Sequence, residues 1–519
     1  MANYLDRVIG YFNPSVGLHR AQARQALEIS QDFYRDYEIN SKSRRNDGWK
    51  KGNSSAAQEA HHGFINGAAA GQELCRNNPL AFRMKQTWAA NTVGGGIKAE
   101  FISTNKRSSK SANTKFTQWA ESTSCDFENH YNLYGLQWLW MSTVVESGGV
   151  FVRKVVNNAL AFPLQLQTLE QTYLDNSKTG QKQSNGEWLL DGIQYNVDGS
   201  IKGYWLKQFI ESSPYNTPVE NISKFYAADE IIHIFRKERA GQHVGMTWFA
   251  QNGNMLKNHD VYIDAKLMQQ KIAACFGAIV SNPQKAIGIN TKTDSNGQQF
   301  DSLEPAMIEY VDAGTEITQL TPPKADNSAE FDISLQRIIA VSGGITYEML
   351  TGDYSRVNFA SGRMGKSEFF TQLDYVQKLM FLPKLNIIAD WFTNLNSIVS
   401  GSKNLEVEWT FPPRAAVNPQ EDFAVMFSKV RAGLMSPSEA AQLLGTKLPL
   451  VLQRWKDDKK MFDAMGLKFD IDPQYFASTG NQLDENDAAS ANANSQSSNN
   501  SAGNSSSADN ESGDDDETS

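Results

Sequence analysis

Leu80, Met84 and Trp88 recur at every fourth position, a spacing that lines them up on one face of a helix. Asn78-Pro79 just before them suits a helix start, since Asn caps a first turn and Pro needs no hydrogen-bonded N–H there. The run Thr92-Val93-Gly94-Gly95-Gly96-Ile97 predicts the end of that helix, followed by a strand. Residues 61–145 as a whole read as helical. Between 148 and 240 the pattern becomes strand-rich. Val150-Phe151-Val152, Pro163 to Gln167, Gly192 to Val197 and Ile201 to Phe209 have strand character, with turns at Asp191-Gly192 and Asp198-Gly199. Ile231 to Phe235 reads as a short buried strand, and hairpins in a mixed sheet are expected.

From Trp248 to about Phe276 the period returns to three and four, through Tyr262, Ala265, Met268, Ile272, Phe276 and Ile279. Residues 281–328 are looped and strand-like, with Asn282-Pro283, Asn296-Gly297 and Thr321-Pro322-Pro323. A helix is predicted near Glu330 to Ser342, stopped by Gly343-Gly344. A long helix follows from about Ser361, with Phe369, Leu373, Val376 and Met380 on one face. Pro383 should kink or break it, and Leu385, Ile388, Phe392 and Leu395 resume the pattern. Residues 405–412 read as a strand. Two helices, Pro419 to Ala432 and Pro437 to Leu444, are closed by Gly433 and Gly445.

Composition narrows the function classes. Hydrophobic residues make up 40% of 519, enough for a sizeable core in two to four domains or one large multi-part subunit. The three cysteines, Cys75, Cys125 and Cys275, are far apart and without CxxC, so neither a zinc site nor a disulfide framework is expected, and a reducing cytosol suits them. The start has no long apolar stretch. The longest apolar run, Ile272 to Val280, is about half the ~18 residues that a membrane span needs. From Asn481 onward there are nine acids and no Lys or Arg, in a Ser/Asn/Ala/Asp stretch too polar to offset ordering entropy, so disorder is expected there. The chain has 49 basic and 58 acidic residues, so residues 1–480 are formally neutral. A tight DNA binder usually carries a basic face, because phosphate neutralisation supplies most of its affinity. A neutral body argues against a repressor or nuclease. It does not argue against a conduit, where tight phosphate contacts would hinder sliding.

One stretch has enzymatic overtones. Ala360-Ser361-Gly362-Arg363-Met364-Gly365-Lys366-Ser367 meets a loose Walker A pattern, in which backbone amides wrap phosphates, Lys366 reaches them and Ser367 holds magnesium. A true site follows a buried apolar strand, and Gly352 to Phe359 does not read as one. The alternative function, a nucleotide hydrolase using Lys366, is therefore set aside. His61-His62, His130, His233 and His243 lack metal-binding spacing, and His233 within an apolar strand reads as a hydrogen-bonded core residue. No catalytic, cofactor-binding or metal-ligating residue is assigned.

Five stretches stand out, in this order along the chain. The first three are Arg76-Asn77-Asn78-Pro79-Leu80-Ala81 with Thr92 to Ile97; His233 to Gln242, including Arg236 and Gly241, running through Gly245 to Trp248; and Lys271 to Gly277. The fourth and most specific is Tyr347-Glu348-Met349-Leu350-Thr351-Gly352-Asp353-Tyr354-Ser355 with Asn358-Phe359, Ser361 and Arg363. The fifth is Phe411-Pro412-Pro413-Arg414 with Asn418-Pro419 and Gly433 to Ser436. Together and in this order they resemble the lambda-type tailed bacteriophage portal proteins. Asn418 stands where Asp is expected, and the acidic stretch is not part of the family pattern.

The resemblance implies an α+β ring subunit with wing, stem, clip and crown regions. The expected layout is an N-terminal arm over 1–60, a wing over 61–246, a first stem helix over 247–280 and a clip-like insert over 281–328. A second stem helix, channel loop and long helix fill 329–400, a strand and crown-like helices 401–480, and a disordered acidic tail 481–519. It further implies a non-enzymatic homo-oligomer, a ring of twelve at the unique capsid vertex, assembled in the bacterial cytoplasm and carried in the virion. Implied partners are the large terminase subunit, head-completion proteins, the major capsid or scaffold protein, and double-stranded DNA passing without sequence specificity. Asp353, Tyr354, Arg356 and Asn358 are the channel-loop candidates, Arg356 meeting phosphates and Asn358 offering neutral hydrogen bonds. A head–tail adaptor is the other structural alternative, disfavoured by length.

Overall fold

A computed structural model describes residues 54–467, apart from 181, 183–184, 208–222, 276–279, 282–291, 294–298, 301–309, 312–327, 401–404 and 415–417. Most of the 1–60 arm, most of the 281–328 insert and all of the acidic stretch therefore lie outside the described residues. Two units are distinguished, residues 1–59 with 239–242 and residues 60–238 with 243–519. In the small one, Glu59 accepts hydrogen bonds from the Ser54 hydroxyl at 2.7 Å and from the Arg239 guanidinium, and Gly241 turns the chain at φ +82°.

Helix α1 (Ala56–Asn77) is followed at once by α2 (Pro79–Val93). The Asn78 side-chain oxygen accepts the Ala81 amide at 2.8 Å, and Pro79 fills the first helical position. Met84 and Trp88 are buried with Leu80 packed against them, as the four-residue spacing predicts. Gly94 closes the helix at φ +51°, where a side chain would meet Pro412. Strand β1 (Lys98–Ile102), α3 (Lys106–Glu121) and α4 (Leu133–Ser147) follow. Helix α4 is apolar on most of its circumference and correspondingly central. Its buried amide Gln137 accepts the Ile97 N–H at 2.8 Å and donates to the Ile97 carbonyl at 3.0 Å, so neither group is stranded.

Strands β2 (Gly149–Val156) and β3 (Leu164–Glu170) form an antiparallel pair. Then come β4 (Trp188–Leu190), β5 (Ile193–Tyr195), β6 (Ile201–Lys207) and β7 (Ser223–Ala227), an antiparallel four-stranded meander, and β8 (Ile231–Phe235), which pairs with the other edge of β2. Period two divides β2 between two cores. Val150 and Val152 join Trp140 in the main one, while Phe151 joins Phe64, Tyr204 and Ile231 in the second.

Helix α5 (Gly253–Cys275) follows. Between it and the next helix the described residues include β9 (Val280–Ser281), β10 (Lys292–Thr293), β11 (Gln299–Phe300) and β12 (Tyr310–Val311). Here β9 pairs with β12 in parallel and β10 with β11 antiparallel. Helices α6 (Ser328–Ser342), α7 (Tyr347–Thr351) and α8 (Phe359–Asp374) lead into a π-helical segment, Tyr375–Phe381, and on into α9 (Leu382–Ser400). Phe369, Leu373, Val376, Met380, Leu385, Ile388 and Phe392 are all buried in the main core.

Of the kink or break expected at Pro383, the break does not occur, because helical structure runs unbroken from Phe359 to Ser400. Proline in an α-helix clashes with the carbonyl four residues back. One wider turn before it relieves that clash, and the Leu382 N–H bonds instead to Gln377 O, five residues back. The π turn also delivers the Gln377 amide to Thr92 O at 2.9 Å, satisfying a carbonyl at the end of α2.

Strand β13 (Glu406–Thr410) returns to pair antiparallel with β1, Lys98 opposite Thr410. The chain ends its described course in α10 (Pro419–Arg431), α11 (Pro437–Leu443) and α12 (Leu448–Met465). Neither α10 nor α12 has a fully buried residue. No helix among the described residues is long and apolar enough to cross a membrane.

Candidate functional site

The segment from Thr346 to Lys366 is built by short-range polar contacts. Thr346 caps α7, its hydroxyl accepting the Met349 amide at 3.3 Å, and Gly352 ends that helix at φ +77°. The chain then turns around Asp353. Its carboxylate accepts the Ser355 amide at 3.0 Å and the Tyr347 hydroxyl at 3.3 Å, while its own amide donates to the Thr351 hydroxyl at 3.2 Å. The hydroxyl and amide of Ser355 hold the Asp353 carboxyl below the usual carboxylate range. Tyr354 and Arg356 are left exposed on a braced loop. Asn358 is otherwise occupied: its side-chain oxygen accepts the Ser361 amide at 2.8 Å and caps α8.

The Walker-like stretch lies in the first turns of α8. Its amides from Gly362 onward follow a capped helix rather than cupping outward, so the residues around Lys366 do not form a phosphate loop. Lys366→Ala is expected to leave assembly intact, with no measurable ATP hydrolysis before or after. Turnover abolished by that change would overturn this reading. Arg363, one turn before Lys366, reaches Asp422 at 3.1 Å and Glu421 at 3.5 Å in the first turn of α10. Arg414 pairs with Asp374 at 2.5 Å and lies over the Phe370 ring.

The other residues that carry the resemblance are largely backbone devices. Asn78, besides capping α2, donates to Asp260 at 2.8 Å and so ties α2 to α5. Arg236 pairs with Glu238 and stacks 4.3 Å above the Trp248 ring. Tyr347 lies under Arg337 and holds Asp353. Asn418 begins α10 without a side-chain cap bond.

The histidines are a separate case. His233 is buried in β8 with its Nε2 3.1 Å from Gln171 Oε1. Burial, helped by the charge of Lys384, holds its pKa well below the ordinary histidine value, so it is neutral at pH 7. Sequence reading passed over the pairing of the others. The carboxylate of Asp191, fully buried at the β4–β5 turn, contacts His61 from α1 through one oxygen and His243 through the other at 2.6 Å. These residues are 52 or more positions apart, so only the fold brings them together. Asp191-Gly192 had been read only as a turn. Among the described residues no group of three or more His, Cys, Asp or Glu is placed to hold a metal ion.

The probable portal protein of Halomonas phage phiHAP-1 is 28% identical over 265 residues, 49% of this chain and 49% of that protein. The chain thus spans about half the length of the curated relative it matches. Among solved structures, a chain of the virion of a native gene transfer agent (GTA) particle is 16% identical. It superposes with a TM-score of 0.41, covering 74% of this chain and 93% of that one. A chain from the neck of the native GTA particle computed with C12 symmetry gives the same TM-score and identity, over 74% and 98%. The family model for phage portal proteins of the lambda family matches residues 42–377, which include the Asn78 cap, the Arg236–Trp248 stack and the Asp353 loop. The chain belongs to the lambda family of phage portal proteins.

Proposed function

We propose that copies of this chain close into a ring, of twelve subunits, at the unique vertex of a phage capsid. Viral DNA enters and leaves through its channel. The observation that carries this reading is the amount of apolar surface that one copy leaves uncovered on its helices. Val261, Ile338, Val341, Phe423 and Leu434 are all exposed, on or beside α5, α6 and α10. A closed ring covers such faces with further copies, two different faces per subunit.

In this reading α5 and α6 belong to the stem, residues 281–328 to the clip, residues 61–246 to the wing and α10–α12 to the crown. The large terminase subunit docks at the clip, and head-completion proteins replace it after packaging. The capsid or scaffold protein surrounds the ring. The ring assembles in the host cytoplasm and stays in the virion. The loop from Asp353 to Phe359 faces the channel, where Arg356 touches passing phosphates without sequence preference. Charge balance over residues 1–480 keeps those contacts weak enough for sliding.

Negative-stain images of the purified chain test the central statement. Rings with a central hole are expected, and a species that stays monomeric under assembly conditions would refute it. Arg356→Ala is expected to leave ring formation intact while reducing packaged DNA or its retention. Loss of assembly instead would move Arg356 from the channel to a subunit interface.

A further inference from the structure

Between α8 and the helices α10 and α11 lies a groove of about 480 Å³. Its lining is mostly apolar: Phe370 from α8, Phe423 and Met426 from α10, and Leu443 and Leu444 from the end of α11. Phe423 is 61% exposed and Leu443 and Leu444 are 52% exposed, so the described residues leave the groove open. Three cations and one carboxylate complete the lining. Arg363 is matched by Asp422 and Glu421, and Arg414 by Asp374. Lys366, partly buried on α8, pairs with no carboxylate among the described residues. Glu348 lines a smaller cavity that Lys366 shares with Tyr354 and Val357, without pairing with it. Such a groove fits an apolar side chain with acids close behind it, because the apolar lining excludes water and the ammonium lacks a counter-charge.

The chain carries a stretch of that kind outside the described residues. After Phe476 its one large apolar side chain is Leu483, and Asp484, Glu485 and Asp487 follow directly. We propose that Leu483 docks in this groove of its own subunit and that the acids beside it reach Lys366, strapping the acidic stretch across α8, α10 and α11. The chain is long enough for this. Helix α12 begins four residues after Leu444 and has 18 residues, so Leu467, where the described chain ends, is within about 50 Å of Leu444 along its path. Leu483, 16 residues further on, reaches about 55 Å when extended. Phe469 and Ile471 also flank acids, but they lie only two and four residues past Leu467, too few to run back along α12. A tethered segment meets its groove at an effective concentration on the order of millimolar, so one apolar anchor and one ion pair suffice. Phe427 and Leu434 do not line the groove and remain for neighbouring copies, so the strap goes beyond the ring reading and does not rest on it. It also gives Lys366, which has no phosphate loop around it, a carboxylate to hold.

The test treats the full chain with a water-soluble carbodiimide, which joins a carboxylate to an amine in contact with it, and reads the products by peptide mass spectrometry. Lys366 is expected to be joined to Asp484, Glu485 or Asp487 several-fold more often than Lys456 or Lys460, which are exposed on α12 and nearer to those acids in sequence. Leu483→Asp keeps every acid and is expected to bring Lys366 down to the level of those two lysines, while Leu483→Met retains the preference. Both variants are expected to keep the circular dichroism of the wild type and to form rings, so that loss of the strap is told apart from failure of the ring. A wild-type chain in which Lys366 is joined no more often than Lys456 and Lys460 would overturn the strap. So would a preference that survives Leu483→Asp, since charge attraction alone would then explain it. Mixing isotope-labelled and unlabelled chains before assembly identifies the donor of the acids. Cross-links found only between differently labelled copies would put a second copy in the groove and overturn the proposal.

Discussion

Replacing Trp88 with alanine is expected to cost the large unit about 3–5 kcal/mol, the range for truncating a fully packed aromatic. The indole is 2% exposed and is shared by four segments of chain. It comes from α2, meets Trp248 edge-on with ring centroids 4.9 Å apart, lies tilted against Phe369 of α8 at 5.2 Å, and donates its N–H to Gly343 O at 2.9 Å beyond the end of α6. Alanine would empty a space that none of these elements is free to fill, and would leave the Gly343 carbonyl without a partner. Trp88→Phe keeps most of the area and loses the hydrogen bond, so a smaller cost of roughly 1 kcal/mol is expected. Trp138→Ala is the control, since that ring is partly exposed on α4. Thermal melting of the three variants checks the ranking. If Trp88→Ala melts where Trp138→Ala does, the junction described here is not what holds α2, α6 and α8 together.

Asp191→Ala is expected to be the most damaging change in the β4–β7 meander, at about 3 kcal/mol or more, because it removes the carboxylate that two imidazoles face in a buried site. It also places alanine at φ +50°, a left-handed backbone that Asp and Asn tolerate better. Asp191→Asn keeps an acceptor and the backbone tolerance, so a smaller loss is expected. Burial by itself would raise the Asp191 pKa. The hydrogen bonds from His243 and His61 outweigh it and hold the carboxyl below its ordinary value. A depressed carboxyl pKa contributes stability that is fully present above the unfolded value, about 3.9, and is lost as pH falls through the folded one. The gap in urea stability between wild type and Asp191→Asn should therefore be constant above about pH 4 and narrow progressively as pH falls below it. A gap that does not narrow at all on acidification below about pH 4 would mean that the carboxylate's charge is not what the histidines hold.

Much of the local architecture was legible in the residues. The spacing of Leu80, Met84 and Trp88, the Asn78-Pro79 start, the alternation through β2 and the faces of α8 and α9 all follow from short-range rules, because helix and strand periods depend on neighbours a few positions away. Pro383 was read as a kink or a break, and which of the two was not legible for a related reason. A local rule says what proline disrupts, but whether the helix can widen by one turn depends on Gln377 finding the end of α2 some 285 positions away. The family resemblance was also carried by local motifs, which turn out to be caps, turns and stacks more than chemistry.

What the sequence determined alone was the character of the longer elements, such as α2, β2, β8 and α8, the neutral charge balance over residues 1–480 and the order of the motifs. The His61–Asp191–His243 cluster, the Arg363 pairs with α10 and the exposure of Val261 and Met268 on α5 were decided only by the tertiary structure. Each depends on which surface a distant segment covers. Periodicity shows that a face is apolar, whereas the packing of the whole chain decides whether that face is spent inside the subunit or left over.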